Sequence, residues 1–191
     1  MSVKPSADGL AQAAAAAARK GPPPVHLWTP PFCGDIDMEI RRNGTWFYLG
    51  TPIGRPALVK LFSGILWREG EAYFLVTPVE KVGIRVEDAP FVAVDVNARG
   101  EGRGQRLTFT TNVEETVEAG PDHPIRVAHD PATGAPAPYV HVRRNLEALI
   151  DRKTFYRMVD LGSVARHAGA DWFGLWSGGV FFPVIPAAEL G

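Results

Sequence analysis

Cysteine is nearly absent: Cys33 is the single thiol in 191 residues. One thiol excludes an internal disulfide and any metal centre built from several cysteines, and it points to a reducing compartment. Histidine is scarce and dispersed, at positions 26, 123, 129, 141 and 167. No HExxH run and no His–Cys cluster appears among them, so no structural zinc site is expected. No apolar run approaches the ~20 residues that a membrane-spanning helix needs. Charge of one sign is missing as well. Twenty Lys and Arg stand against 21 Asp and Glu, a formal net charge of −1. Such a balance leaves no global field to draw in DNA, RNA or an anionic membrane, although it permits a local basic pocket. Residues 13–18 are all alanine, but Asp8 and Gln12 lie beside them and no strongly basic start precedes them. The segment is not a convincing signal sequence, and a cytoplasmic protein is expected.

What is present is an ordinary globular composition, 46% apolar and 21% charged, in a length that suits one large domain or two small ones. Alanine has the highest helix propensity, so residues 9–20 favour a helix, and Gly21 with Pro22, Pro23 and Pro24 ends it. Residues 1–24 read as an Ala/Pro-rich leader outside the core. Residues 36–41 alternate as a half-buried strand, Asn43-Gly44 makes a tight turn, and residues 45–49 return as its partner. Thr51 and Pro52 have the chemistry of a helix start. Ile53, Ala57, Leu58, Leu61, Phe62, Ile65 and Leu66 then fall on one helical stripe, which predicts a helix over 53–67 with Leu61 and Phe62 buried.

Strands are predicted at 71–77, 83–86, 91–96, 105–110, 125–129 and 139–142. A helix is predicted over 142–152 from the spacing of Val142, Leu146, Leu149 and Ile150. A strand-like run follows at 155–159, then, over 172–185, an aromatic strand, the Ser177-Gly178-Gly179 turn and an apolar strand. Hairpin, helix and strand thus occur in the same order over 36–77 and 125–160. Leu66-Trp67-Arg68-Glu69 aligns with Ile150-Asp151-Arg152-Lys153, and Tyr73 with Tyr156. An internal duplication is the expectation. The fold class is α+β, with duplicated hairpin–helix–strand units and antiparallel sheets. The N-terminal domain is expected over 25–82 and the C-terminal domain over 83–191.

Several segments, in order, resemble the bacterial family of unknown function numbered 1285 (DUF1285). They are Trp28 with Pro31, Cys33-Gly34-Asp35-Ile36-Asp37-Met38, Gly44-Thr45-Trp46-Phe47-Tyr48 and the apolar residues from Leu58 to Leu66. Thr77-Pro78-Val79-Glu80-Lys81, Val86-Glu87-Asp88-Ala89-Pro90-Phe91, Thr111-Asn112 and Pro138-Tyr139-Val140 extend the match across roughly 25–160. The resemblance implies a domain duplication whose C-terminal half is like a pleckstrin-homology-like barrel. It also implies a nucleotide-based ligand in a cleft between the halves, with a role in signalling and oxidative stress.

The residues offer candidate chemistry, each with a plainer alternative. Cys33 is a candidate redox thiol; a lone cysteine is also a small apolar residue. Asp35 and Asp37, two apart on a strand, would share a face as a metal or acid–base pair, or else cap a turn and face solvent. Gly100, Gly102 and Gly104 alternate beside Arg99 and Arg103, but no helix follows, so a hairpin tip is expected and not a dinucleotide fingerprint. The start of the main helix, with Arg55 beside it, has the electrostatics to receive a phosphate. Arg143 stands where the repeat places an equivalent site, and Lys81, Asn112 and Tyr139 lie on segments able to border the same cleft. Cations outside an apolar stripe also serve simply as solvated surface.

Three classes of function remain open. The first is a non-catalytic ligand-sensing module for a small molecule, nucleotide-based as the resemblance implies, holding it with Arg55, Lys81, Asn112, Tyr139 and Arg143. The second is a protein-interaction module with a protein partner. The third is an enzyme or redox sensor using Cys33, the weakest because no nucleophile–base–oxyanion set can be assembled.

Overall fold

The computed structural model describes residues 4–191. The chain divides into two compact units, with the division between Asp88 and Ala89.

In the first unit, helix α1 (Ala7–Ala18) begins at Ser6, whose hydroxyl oxygen accepts the Gly9 N–H at 3.2 Å. Ala7, Leu10 and Ala14 recur at three- and four-residue spacing and are buried, Leu10 completely. The leader is therefore part of this unit's core and not an appendage: its one leucine anchors it, and alanine lets it approach helix α2 (Pro56–Gly64) closely. Six strands make the sheet: β1 (Phe32–Ile40), β2 (Trp46–Tyr48), β3 (Thr51–Pro52), β4 (Leu66–Glu69), β5 (Ala72–Val76) and β6 (Lys81–Val86). Their order is β3-β2-β1-β6-β5-β4. Neighbours run antiparallel, except that β1 and β6 pair in parallel at the centre.

Helix α2 starts three residues later than the predicted 53–67. Thr51 and Pro52 pair with Tyr48 and Phe47 as β3, and Pro56 fills the first helical position instead. It also stops sooner, at Gly64, because Leu66 opens strand β4. The apolar stripe thus joins a helix to a strand. Phe62 is completely buried and stacks on Trp46, with ring centroids 6.0 Å apart. Leu61, expected beside it in the core, is only half-buried. Strand β6 pairs with both β1 and β5, so a domain boundary after residue 82 would cut it. The division falls after Asp88 for that reason.

The second unit has β7 (Phe91–Arg99), β8 (Arg106–Thr111), β9 (Thr116–Glu118), β10 (Ile125–His129), β11 (Pro136–Arg143) and β12 (Leu146–Ile150). Helix α3 (Arg152–Val159) and strands β13 (Ser163–His167), β14 (Ala170–Ser177) and β15 (Val180–Pro186) complete it. The larger sheet has the order β10-β11-β12-β7-β8-β9, and the last three strands form a separate antiparallel sheet. Read from the other end, the larger sheet is β9-β8-β7-β12-β11-β10. This is the arrangement of the first unit: two three-stranded meanders joined through a parallel pairing of the first strand with the sixth. The two halves are similar and sheet-rich, with antiparallel and mixed sheets, few helices and one half-barrel sheet, as a duplication requires.

The register of the duplication is not the one that 36–77 and 125–160 suggest. The repeat runs from β1–β6 to β7–β12. Helix α2 lies between the third and fourth strands of its sheet, whereas α3 follows the sixth. Tyr73 is buried on β5 and Tyr156 is exposed on α3, so they are not equivalent. Helix and strand also exchange places near residue 150. Leu146, Ala148, Leu149 and Ile150 are all buried in β12, which pairs on both sides. A strand covered on both faces gives a continuous apolar run that helical spacing fits by accident. The next segment, expected as a strand, is helical: Asp151 accepts the Thr154 N–H at 2.8 Å, and Thr154 and Met158 form its buried stripe.

The small sheet is fastened to the larger one at its turn. The buried Ser177 hydroxyl donates to the Ala119 carbonyl at 2.6 Å and accepts the Leu107 N–H at 2.9 Å. Gln105 adds a hydrogen bond from its side-chain amide to the Trp176 carbonyl at 3.0 Å. The Ser177-Gly178-Gly179 segment is a turn, as expected, and also a latch. In the same unit, Arg157 on α3 pairs with Asp95 on β7 and donates to the Val96 carbonyl. The hydrogen bond from Arg157 holds the Asp95 carboxyl below the usual range.

Candidate ligand site

The first unit contains an open pocket of about 310 Å³ between the start of α1 and the start of α2. Its walls are Ser6 and Asp8 on one side, Tyr48 and Thr51 on another, and Arg55 with Leu58 on the third. The local sequence explains each placement. Strand β3 holds Thr51, Gly54 releases the chain from the sheet, and Pro56 sets the helix direction. Arg55 is the N-cap residue, in extended conformation, and among the described residues no side chain caps α2. The exposed Arg55 guanidinium makes no ion pair among the described residues. A cation without a carboxylate partner stands beside the positive end of a helix, in a recess with an aromatic ring and a hydroxyl.

The other residues singled out by sequence are occupied. Lys81 bonds Glu69 at 3.0 Å and lies over the Phe74 ring, 4.7 Å from its centroid. That hydrogen bond holds the Glu69 carboxyl below its usual range. Arg143, expected free of internal carboxylates, reaches both oxygens of Glu115 at 3.1 and 3.3 Å and packs over Phe91. It sits at the end of β11, because the helix expected after it is strand β12. Tyr139 is buried on β11 under the guanidinium of Arg126. Asn112 brackets β7: its side-chain oxygen accepts the Val92 N–H at 3.0 Å, and its own N–H donates to the Val92 carbonyl at 2.8 Å. Arg55 and Lys81 belong to the first unit, and Asn112, Tyr139 and Arg143 to the second.

Cys33 is exposed, and its thiol donates to the Pro31 carbonyl at 3.3 Å. Asp37 is engaged by Arg85 at 2.6 Å, so it does not act as half of a free carboxylate pair with Asp35. Gly100, Gly102 and Gly104 form the tip between β7 and β8, with Gly100 and Gly102 at positive φ. Among the described residues no three His, Cys, Asp or Glu side chains gather as metal ligands. Among them also, no helix is long and apolar enough to cross a membrane.

One pairing had no sequence signal. His123 and His141 bring their Nδ1 atoms within 3.4 Å, and the first also meets the His141 carbonyl at 3.1 Å. Eighteen residues separate them, and only the β10–β11 connection brings them together. Nor was the pocket's far wall legible, because it is formed by the supposed leader.

With two duplicated sheet-rich halves in place, the comparisons with known proteins define a class. Residues 23–89 match the family described as Domain of unknown function (DUF1285), N-terminal domain. Residues 90–184 match Protein of unknown function (DUF1285), C-terminal domain. The chain belongs to the DUF1285 family. It is similar to the solved DUF1285 family protein from Silicibacter pomeroyi DSS-3: identity is 65% and TM-score 0.87, over 97% of this chain and 99% of that one. A DUF1285 family protein from Shewanella baltica OS155 is 30% identical, with TM-score 0.51, over 64% of this chain and 90% of that one. No curated protein matches the chain.

Proposed function

We propose that the protein is a non-catalytic ligand-sensing module of the cytoplasm that binds a phosphate-bearing, nucleotide-based ligand. The observation that carries the reading is Arg55: a guanidinium lining the α1–α2 pocket, with no ion pair among the described residues, beside a helix start that no described side chain caps. A guanidinium offers a planar fork to phosphate oxygens, and a helix N-terminus favours the same anion. Tyr48 supplies an aromatic wall for a base, and the Asp8 carboxylate suits sugar hydroxyls better than it suits phosphate. The volume lies at the small end of the range for ligand pockets, which fits a mononucleotide or part of a larger ligand. Lys81 and Arg143 neutralise Glu69 and Glu115, so in this reading they shape surfaces and do not hold the ligand.

A thermal-shift panel of nucleoside mono- and diphosphates tests the reading. A ligand that binds only the folded chain stabilises it by about 2.7 kcal/mol at a hundredfold excess over Kd. At least one member should raise the melting midpoint, and Arg55→Ala should abolish the rise. If no nucleotide shifts the midpoint, the reading fails and a protein-interaction module takes its place.

A further inference from the structure

The first unit carries a second recess, lined from strands β1, β5 and β6 and independent of Arg55. Strand β1 is bulged: Phe32 pairs with Lys81 and Asp35 with Gly83, so three steps on β1 face two on β6. Residues three apart on a regular strand point to opposite faces. The extra residue returns Phe32 and Asp35 to the same face. Gly34, at φ +95°, supplies the conformation that the bulge requires. Opposite it, Gly83 leaves room for the Asp35 carboxylate; a Cβ there would lie 2.0 Å from its Oδ1. The bulge, the positive-φ glycine and the bare glycine act together to set one carboxylate beside one aromatic ring.

Both groups are exposed. Phe32 is 55% exposed, and its ring meets the edge of Phe74 in a T-shaped contact at 6.0 Å. The exposed Asp35 carboxylate makes no hydrogen bond and no ion pair among the described residues. The two lie with Phe74, Gly83 and Arg85 in an open recess of about 450 Å³. The cation among its lining residues, Arg85, is held by Asp37 at 2.6 Å and Glu39 at 3.8 Å, and the lining Glu71 pairs with Arg68 at 3.4 Å; Lys81, nearby on β6, is held by Glu69 at 3.0 Å. Asp35 is the carboxylate left over.

We infer that the Phe32–Asp35 recess binds an organic cation, a guanidinium or alkylammonium group on an apolar stem. The same sheet face already shows the chemistry within the chain. The Lys81 ammonium sits on the ring of Phe74 and against the Glu69 carboxylate. Phe32 and Asp35 repeat that pairing of an aromatic ring with a carboxylate in one recess. An aromatic face attracts the cation, the carboxylate accepts its N–H groups, and the ring buries the stem.

The test is an amide-resolved NMR titration of the full chain with Nα-acetyl-arginine amide, with the neutral isostere Nα-acetyl-citrulline amide as control. Saturable shifts are expected at Gly34, Asp35 and Gly83 with the arginine compound, and none with citrulline. Asp35→Asn should weaken binding about tenfold, the scale of one charge-assisted hydrogen bond, and Phe32→Ala should weaken it too. Both variants alter exposed side chains, and unperturbed spectra elsewhere would verify the fold. An arginine-bearing pentapeptide distinguishes the source of the cation: tighter binding than the single residue assigns the site to peptides, and equal binding assigns it to free cations. The inference is overturned by the absence of saturable shifts with either arginine compound. An equal response to citrulline, or unchanged affinity in Asp35→Asn, overturns it as well. Arg55→Ala should leave this titration unaltered, so failure here and failure of the nucleotide reading are separable.

Discussion

Replacing Phe62 by alanine is expected to lower the unfolding free energy by about 3–5 kcal/mol, measured by denaturant melts. The side chain is completely buried between α2 and the sheet and stacks on Trp46. Two terms add: the lost transfer of a phenyl ring out of water, and the cavity that a short helix against a six-stranded sheet cannot close. One feature limits the loss. The buried Trp46 indole N–H has no hydrogen-bond partner among the described residues, and water entering the cavity would give it one. The expected value therefore lies toward the lower end of the range. A loss below about 1 kcal/mol would mean that α2 shifts inward and refills the space.

Gly174→Ala should cost about 3 kcal/mol through overpacking, for a different reason. At this irregularity of β14 a Cβ would lie 2.2 Å from the Phe182 carbonyl oxygen and 2.9 Å from the Pro183 Cα. Both obstacles are backbone of the neighbouring strand β15, so no rotamer change relieves them. The φ angle plays no part, because Gly174 is not in the left-handed region. The strands must separate or the pairing must slip, with the Ser177 latch near the end of the same strand. Loss of near-ultraviolet ellipticity from Trp172 and Trp176 should accompany the destabilisation. An unaltered melt would show that β15 can move aside without penalty.

These two residues also show what the sequence disclosed and what it withheld. The burial of Phe62 was legible from its place on an apolar stripe, and most strands from their alternation and turns. The helix ends were not, because Pro52 and Pro56 are both credible first-turn prolines and only the pairing of Thr51 and Pro52 with β2 decides between them. The exchange of helix and strand around residue 150 has the same character. A strand buried on both faces has no polar side to reveal its period, whereas the Asp151 cap before Thr154 was a readable start signal. The duplication was expected from element order, but its register follows from hydrogen-bond pairing, which matches β1–β6 to β7–β12. The candidate site was half legible. Arg55 beside a helix start could be chosen from sequence. That Arg143 is held by Glu115, twenty-eight residues away, could not.

The most direct measurement of the central claim is calorimetric titration of the wild type and Arg55→Ala with a nucleoside diphosphate and with its phosphate-free nucleoside. The account predicts that the wild type binds the diphosphate at least about tenfold more tightly than the nucleoside. In Arg55→Ala this preference should collapse through a loss of about 1.5–3 kcal/mol for the diphosphate alone. An equal preference in both proteins, or no binding of either compound to the wild type, would contradict it.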